Sequence, residues 1–91
     1  MRKIELIYFS ADQCSVCHAV WPRIKKLAED YDIPLRKIQT EQEIEFSAQN
    51  LVFTVPTVLL FFEGREVQRE SRFIDFDSLE RQLSIMTDHQ D

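Results

Sequence analysis

The chain has 91 residues and a formal net charge of −5, from 11 Lys and Arg against 16 Asp and Glu. This length allows one domain with one hydrophobic core, so we expect a single domain over residues 1–91, ordered from about residue 3 to about residue 86. The acidic balance and the lack of a polybasic run argue against nucleic acid or an anionic membrane as a partner.

The amino terminus carries no recognisable export signal or membrane span. After the basic pair Arg2 and Lys3, the apolar run at residues 4–9 is too short for either, and Glu5 interrupts it. We therefore expect a cytoplasmic protein that has no membrane partner.

The first third of the chain predicts a strand followed by a helix. Residues 4–9 are mostly apolar and indicate a buried strand, and residues 10–13 form a short polar loop. From about residue 14 to residue 30, apolar residues recur at helical spacing, which predicts a helix along that segment.

The middle of the chain predicts a second strand and a second helix. Pro34 breaks the first helical pattern, and residues 35–39 indicate a strand. Thr40 with Glu43 fits a capping box, which predicts a helix that begins there and reaches about residue 49.

The last third predicts a hairpin and a final helix. Residues 57–62 contain five consecutive apolar residues, typical of a central strand that is covered on both faces. Residues 63–65 hold the chain's only glycine and predict a hairpin turn. Residues 66–73 are more polar and suit an edge strand, and Asp75 or Asp77 caps the final helix.

The predicted order of elements is β-α-β-α-β-β-α. The first β-α-β unit is expected to be a right-handed crossover that pairs its two strands in parallel, and the hairpin adds antiparallel strands. The predicted fold class is therefore α/β, with a four-stranded mixed sheet and helices on both faces.

Cys14 and Cys17 lie where the first predicted strand gives way to the first helix. In a reducing compartment, a pair this close is more often catalytic or metal-binding than a structural staple. The free N–H groups and partial positive charge of a helix N-terminus stabilise a thiolate, so we expect a lowered pKa for Cys14. Cys17 lies one turn later on the same face, within reach of a disulfide.

Several segments of the sequence resemble the thioredoxin family. Residues 8–17, which end in Cys-Ser-Val-Cys, resemble its strand and active-site segment, and Pro22 matches the proline that kinks its active-site helix. Residues 55–57 resemble its cis-proline segment, and residues 60–64 the strand and turn that follow. The resemblance covers residues 4–86 and lacks the family's extra N-terminal strand and helix, so it implies a minimal thioredoxin-like fold.

The resemblance implies a thiol–disulfide oxidoreductase that works in the reducing direction in the cytoplasm. Cys14 would attack a partner's disulfide, and Cys17 would resolve the mixed disulfide. Val55 would pair with the partner's backbone, and Pro56 in cis would keep that surface open. The implied partners are protein disulfides, with a thioredoxin reductase as a candidate recycling partner. No cofactor is implied, and we expect a monomer.

The sequence departs from the family pattern at four places. Gln13 replaces the usual tryptophan before the first cysteine, and Ser15 with Val16 replaces Gly-Pro between the cysteines. Tyr8 stands where classical members have a buried acid that helps to move the resolving cysteine's proton, and Arg72 where they have a glycine beside the substrate groove. Tyr8, Gln13 and Arg72 motivate an alternative function: a thioredoxin-fold interaction module with weak redox activity.

His18 follows the cysteine pair and, with Tyr8, is a candidate modulator. As a cation close to Cys14 it would stabilise the thiolate, and a plain surface histidine is an equal alternative. Cys-x-x-Cys-His also fits c-type haem attachment, but that predicts a mostly helical protein. A closed zinc site needs four ligands, and only Cys14, Cys17, His18 and His89 are available. We therefore expect neither haem nor metal.

Overall fold

A computed structural model of the protein describes residues 3–88. The predicted order of elements is confirmed. The elements are β1 (Ile4–Ser10), α1 (Ser15–Asp30), β2 (Leu35–Gln39), α2 (Ile44–Gln49), β3 (Thr57–Phe62), β4 (Arg65–Ser71) and α3 (Phe76–Asp88).

The four strands form one mixed sheet in the order β2-β1-β3-β4. β1 pairs with β2 in parallel, whereas β3 is antiparallel to both β1 and β4. β3 is thus a central strand and β4 an edge strand, as their apolar and polar patterns predict. Leu59 and Leu60, successive residues of β3, are both fully buried because the sheet is covered on both faces.

The helices divide between the two faces of the sheet. On one face, α1 and α3 bury Ile24, Leu79 and Leu83 against side chains of β1 and β3. On the other face, Phe46 of α2 and Val52 pack against a smaller cluster from β1, β2 and β3. Within residues 3–88, none of these helices is long and apolar enough to cross a membrane.

The predicted capping box at the start of α2 is wrong. The helix begins at Ile44, and its N-cap Glu43 makes no side-chain capping hydrogen bond. Thr40 is instead occupied elsewhere, because its N–H and its hydroxyl both donate to the carbonyl of Ser10, at 2.9 and 3.3 Å. The chain therefore turns through residues 41–43 before the helix starts.

The final helix is capped by Asp75, whose Oδ1 accepts from the N–H of Ser78 at 3.0 Å, while Asp77 lies in the first turn. The helix extends to Asp88, past the end of the expected ordered core. β4 ends at Ser71, two residues earlier than predicted, because Arg72 adopts a left-handed backbone conformation with φ 66°.

The strand register gathers four loops at one end of the sheet. Ser10 is paired with Gln39, Phe9 with Thr57, and Thr57 with Ser71. The segments after β1, β2 and β4 and the segment before β3 therefore all emerge at the same end. The cysteine pair belongs to the first of these segments, and Val55 and Pro56 to the last.

Candidate active site

The cysteine pair lies between the loop after β1 and the first turn of α1. Cys14 is the N-cap residue of the helix, with an extended backbone (φ −102°, ψ 99°), and Cys17 follows in the first turn. Their Cα atoms are 5.2 Å apart, and the two sulfurs form a disulfide. The structure thus shows the oxidised form of the pair.

The two sulfurs of this disulfide differ in their surroundings. Cys14 is partly exposed, whereas Cys17 is fully buried. The Sγ atom of Cys14 accepts the backbone N–H of Cys17 at 3.1 Å. This donor belongs to the free N–H groups of a helix N-terminus, which stabilise negative charge. A partner molecule can therefore reach Cys14 but cannot reach Cys17. A thiolate at Cys14 would accept a hydrogen bond from the N–H of Cys17.

Tyr8 lies in β1 beneath the first turn of α1 and is fully buried. Its hydroxyl donates to the carbonyl oxygen of Cys17 at 2.8 Å, and its ring stacks on Trp21 with 5.5 Å between centroids. Burial raises the pKa of Tyr8 to about 12, so the phenol stays neutral at ordinary pH. Tyr8 therefore fixes the backbone of Cys17 to the sheet as a neutral hydrogen-bond donor.

Asp12 organises the loop that precedes Cys14. Its N–H donates to Glu41 Oε2 at 2.8 Å, and its Oδ1 accepts from Gln39 Nε2 at 2.9 Å. The carbonyl oxygen of Asp12 is hydrogen-bonded to Nε2 of His18 at 2.8 Å. The N–H of Asp12, followed by Glu41's own N–H, holds the pKa of Glu41 below its ordinary value of 4.5. Side chains from β2, the next loop and α1 thus hold the segment in place.

Val55 and Pro56 lie immediately before β3, at the same end of the sheet as the disulfide. The peptide bond between them is cis. Val55 is half-buried and Pro56 is buried, and the carbonyl oxygen of Pro56 accepts the N–H of Arg72 at 2.7 Å. Thr57 Oγ1 donates to the carbonyl of Thr54 at 2.8 Å, which closes the turn around the two residues.

An apolar cavity of about 290 Å³ lies beside Val55. Two of its apolar residues are well exposed, Ile44 at 71% and Phe53 at 79%. The lining residues are Thr40, Ile44, Ser47, Ala48, Val52, Phe53, Thr54 and Val55. The cavity therefore continues from the Val55 segment across the start of α2.

Arg69 of β4 holds the segment that leads to Val55. Its guanidinium donates to the carbonyl oxygens of Asn50 and Leu51, at 2.7 and 2.9 Å, and to both carboxylate oxygens of Glu66, at 2.9 and 2.8 Å. Hydrogen bonds from Arg69 lower the pKa of Glu66. The guanidinium thus satisfies carbonyls at the C-terminal end of α2, where a cation is favoured.

The thioredoxin family model matches residues 1–84 of the chain. The chain belongs to the thioredoxin family. It is 40% identical over 83 residues to the thioredoxin-like protein YdfQ of Bacillus subtilis, an alignment that covers 90% of this chain and 74% of that protein. It is 30% identical over 86 residues to a thioredoxin of Chlamydia trachomatis, covering 93% and 81%.

Solved structures give the same assignment to the thioredoxin fold. Thioredoxin 1 of Thermosipho africanus superposes with a TM-score of 0.82 at 36% identity, covering 91% of this chain and 98% of that one. A thioredoxin-like protein of Bacillus cereus superposes with a TM-score of 0.73 at 31% identity, covering 91% and 87%. Thioredoxins act on protein disulfides, and with its Cys14–Cys17 pair this family member is a thiol–disulfide oxidoreductase.

Haem attachment does not fit this fold, because four strands form its centre where that pattern predicts a mostly helical protein. Within residues 3–88, no group of three or more His, Cys, Asp or Glu side chains is placed to hold a metal ion. His89, the fourth potential zinc ligand, lies outside the described residues.

The site residues that sequence reasoning missed act through contacts distant along the chain. Asp12 and Glu41 are 29 residues apart, and Arg69 and Leu51 are 18 apart. The only available signal for the first contact was the predicted parallel pairing of the first two strands, which brings their carboxyl ends together. No local pattern marks Arg69 among the polar residues of an edge strand.

Proposed function

We propose that this thioredoxin family member reduces disulfides of other proteins, with Cys14 as the attacking thiolate and Cys17 as the resolving thiol. One observation carries the proposal: the sulfur at the helix N-terminus is accessible and has a backbone donor, while its partner is buried. An accessible nucleophile beside a shielded thiol is the arrangement that two-step exchange requires.

The first step forms a mixed disulfide. The Cys14 thiolate attacks one sulfur of the substrate disulfide, the substrate S–S bond breaks, and its other sulfur leaves as a thiolate that takes a proton from water. The backbone N–H of Cys17 supports the charge on Cys14 before the attack. The half-buried Val55 lies at the same end of the sheet, where the substrate's backbone would pair with it while Pro56 keeps the surface open.

The second step releases the substrate. Cys17 attacks Cys14 Sγ, which forms the Cys14–Cys17 bond and breaks the mixed disulfide, and the proton of Cys17 passes to the departing substrate sulfur, which leaves as a thiol. Two electrons pass from the protein's dithiol to the substrate, and the Cys14–Cys17 disulfide remains. A protein dithiol donor, such as a thioredoxin reductase, would return both electrons.

Tyr8 and His18 act on this cycle by position. Tyr8 remains neutral because its pKa is about 12, so it holds the Cys17 backbone and does not accept the Cys17 proton. His18 is hydrogen-bonded to the Asp12 carbonyl, so it steadies the loop before Cys14. The proposed setting is a single-domain monomer in the reducing cytoplasm, where the dithiol form is maintained.

Trapping with cysteine variants tests this assignment. Cys17→Ser keeps the nucleophile and removes the resolving thiol, so it should accumulate mixed disulfides with a disulfide-bearing protein such as insulin, seen by mass. Cys14→Ser is the matched control and should accumulate none. In redox buffers the wild-type pair should titrate as one two-electron transition with a reducing midpoint. Insulin binding that survives Cys14→Ser without turnover by the wild type would favour the interaction module instead.

A further inference from the structure

Arg72 occupies an unusual backbone position beside the substrate end of the sheet. Its φ of 66° lies in the left-handed region, which glycine adopts far more readily than a residue with a Cβ atom. Its N–H donates to the carbonyl of Pro56 at 2.7 Å. The backbone therefore presents the Arg72 side chain next to the segment that carries Val55. Asp32, Leu51 and Glu63 also have positive φ, so what distinguishes Arg72 is that this conformation coincides with the hydrogen bond to the Pro56 carbonyl beside Val55. Conformations of this kind occur at functional sites, where surrounding contacts hold them in place.

The guanidinium of Arg72 is available for a ligand. It is exposed, and within residues 3–88 its side chain makes one hydrogen bond, a long one from Nε to Thr54 Oγ1 at 3.4 Å. Among the side chains that the structure describes, the ion pairs are Lys26–Asp30 and Arg69–Glu66, so Arg72 has no carboxylate partner there. A free guanidinium can bind a carboxylate through two parallel hydrogen bonds.

Two exposed aromatic residues are the chain neighbours of the two residues that the Arg72–Thr54 hydrogen bond joins. Phe53 precedes Thr54 and is 79% exposed, and Phe73 follows Arg72 and is 82% exposed. We call Phe53, Thr54, Arg72 and Phe73 the Arg72 patch. Aromatic residues and arginine are the types enriched at protein interfaces, and exposed apolar clusters mark surfaces that bind partners. The patch adjoins Val55, so a chain bound there reaches the cysteine pair's end of the sheet.

We propose that the Arg72 patch selects polypeptide disulfides that carry a carboxylate and an apolar side chain close to the reacting cysteine. The carboxylate pairs with Arg72, and the apolar side chain packs on Phe53 or Phe73. This inference rests on the proposed reductase function and adds its substrate class. The chain's net charge of −5 would repel acidic substrates, so one unpaired cation at the site provides the local attraction they need.

Matched peptides test the selection. Two peptides share one disulfide ring and a leucine, and differ by Glu or Lys beside the reacting cysteine. We expect wild type to reduce the Glu peptide with kcat/KM about two- to five-fold higher, the scale of an exposed ion pair. Arg72→Glu should reverse the ratio, and Arg72→Lys should keep its direction. Arg65→Glu, the same charge change at the other end of β4, should leave the ratio as in wild type.

A separate experiment tests the proposed contact between the substrate's apolar side chain and Phe53 or Phe73. Replacing the peptide's leucine with serine should lower kcat/KM with the wild-type protein. This loss of kcat/KM should be smaller with the double variant that carries both Phe53→Ser and Phe73→Ser. Equal kcat/KM for the Glu and Lys peptides, with no reversal in Arg72→Glu, would overturn the selection while reductase function stands. If wild type fails to reduce even neutral hydroxyethyl disulfide, the proposed function itself fails, and the selection falls with it.

Discussion

Tyr8 of β1 donates its buried hydroxyl to the carbonyl oxygen of Cys17 at 2.8 Å. The bond joins the central part of the sheet to the first turn of the helix that carries both cysteines. Because Cys17 is fully buried, its carbonyl has no access to water that would replace a lost donor. The backbone of Cys17, the proposed resolving cysteine, is therefore positioned by a neutral tyrosine side chain.

Tyr8→Phe should lower the free energy of unfolding by about 1–2 kcal/mol, because it leaves the Cys17 carbonyl without this donor while keeping the stack on Trp21. Urea denaturation of the oxidised protein measures the change. Tyr31→Phe is the control: it removes a hydroxyl bonded to Ser84 at a half-buried site, where water can compensate, and should cost less. Equal losses in the two variants would contradict a special role for Tyr8.

Stability should also fall at alkaline pH because of Tyr8. Its folded pKa of about 12 exceeds the ordinary value of 10.0, so the folded protein holds the phenolic proton more tightly than the unfolded chain does. The stability that this raised pKa contributes is fully present below pH 10 and is lost as the pH rises towards 12. The informative quantity is the difference in unfolding free energy between wild type and Tyr8→Phe, because it isolates Tyr8 from every other group, and this difference should shrink across this window. A constant difference would exclude the effect.

Glu41 should titrate below its ordinary pKa of 4.5, because the N–H of Asp12 and then its own N–H stabilise the carboxylate. A lowered folded pKa means that the contact stabilises the protein above the unfolded pKa and loses this effect as the pH falls. The amide shift of Asp12, followed by NMR from pH 7 to 2.5, should report this titration. Glu41→Gln should flatten the curve, whereas an unchanged curve would show that Glu41 is not the group that moves this amide signal.

Arg69→Met should loosen the segment that leads to Val55. The variant removes the donors to the Asn50 and Leu51 carbonyls and keeps much of the side chain's apolar stem. We expect a loss of about 1 kcal/mol, since the side chain is only 30% exposed, and faster amide exchange across residues 50–56. Lys26→Met, which breaks an exposed i,i+4 pair, should change neither quantity measurably. Unchanged exchange in Arg69→Met would refute the positioning role.

The two buried strands, β1 and β3, were readable from the sequence because each carries its own apolar run. The run at residues 57–62 gave β3 its bounds and its central place without any long-range information. The cysteine pair was readable for the same reason, since spacing and the strand–helix junction are local. The start of α2 was not, because Thr40 offers the same hydroxyl to a local cap or to Ser10, and only the β1–β2 pairing decides between them.

The site's supporting contacts escaped prediction because they join residues far apart in the chain. The sequence marks Glu41 only as a solvated acid, but in the structure Glu41 anchors the loop that follows the neighbouring strand, because it accepts the N–H of Asp12. The left-handed conformation of Arg72 could not be predicted from the sequence, because positions with positive φ are usually occupied by glycine or asparagine. Contacts of this kind follow from the assembled sheet.

Arg72→Gly should separate the stability of the fold from the selection of substrates. Glycine adopts φ 66° without the steric cost that a Cβ atom brings, and this gain offsets the extra entropy of glycine in the unfolded chain. We therefore expect the free energy of unfolding of the variant to be higher than that of wild type by between zero and about 1 kcal/mol. The variant should also lose the preference for the Glu peptide. Arg65→Gly, at an exposed β4 position that has no positive φ, should instead lose about 0.5–1 kcal/mol. Thermal and urea denaturation of both variants, beside the peptide assay, measure these changes. Equal destabilisation at the two positions would mean that Arg72 is held there without strain, which would remove the conformational argument for its function and leave only its unpaired charge.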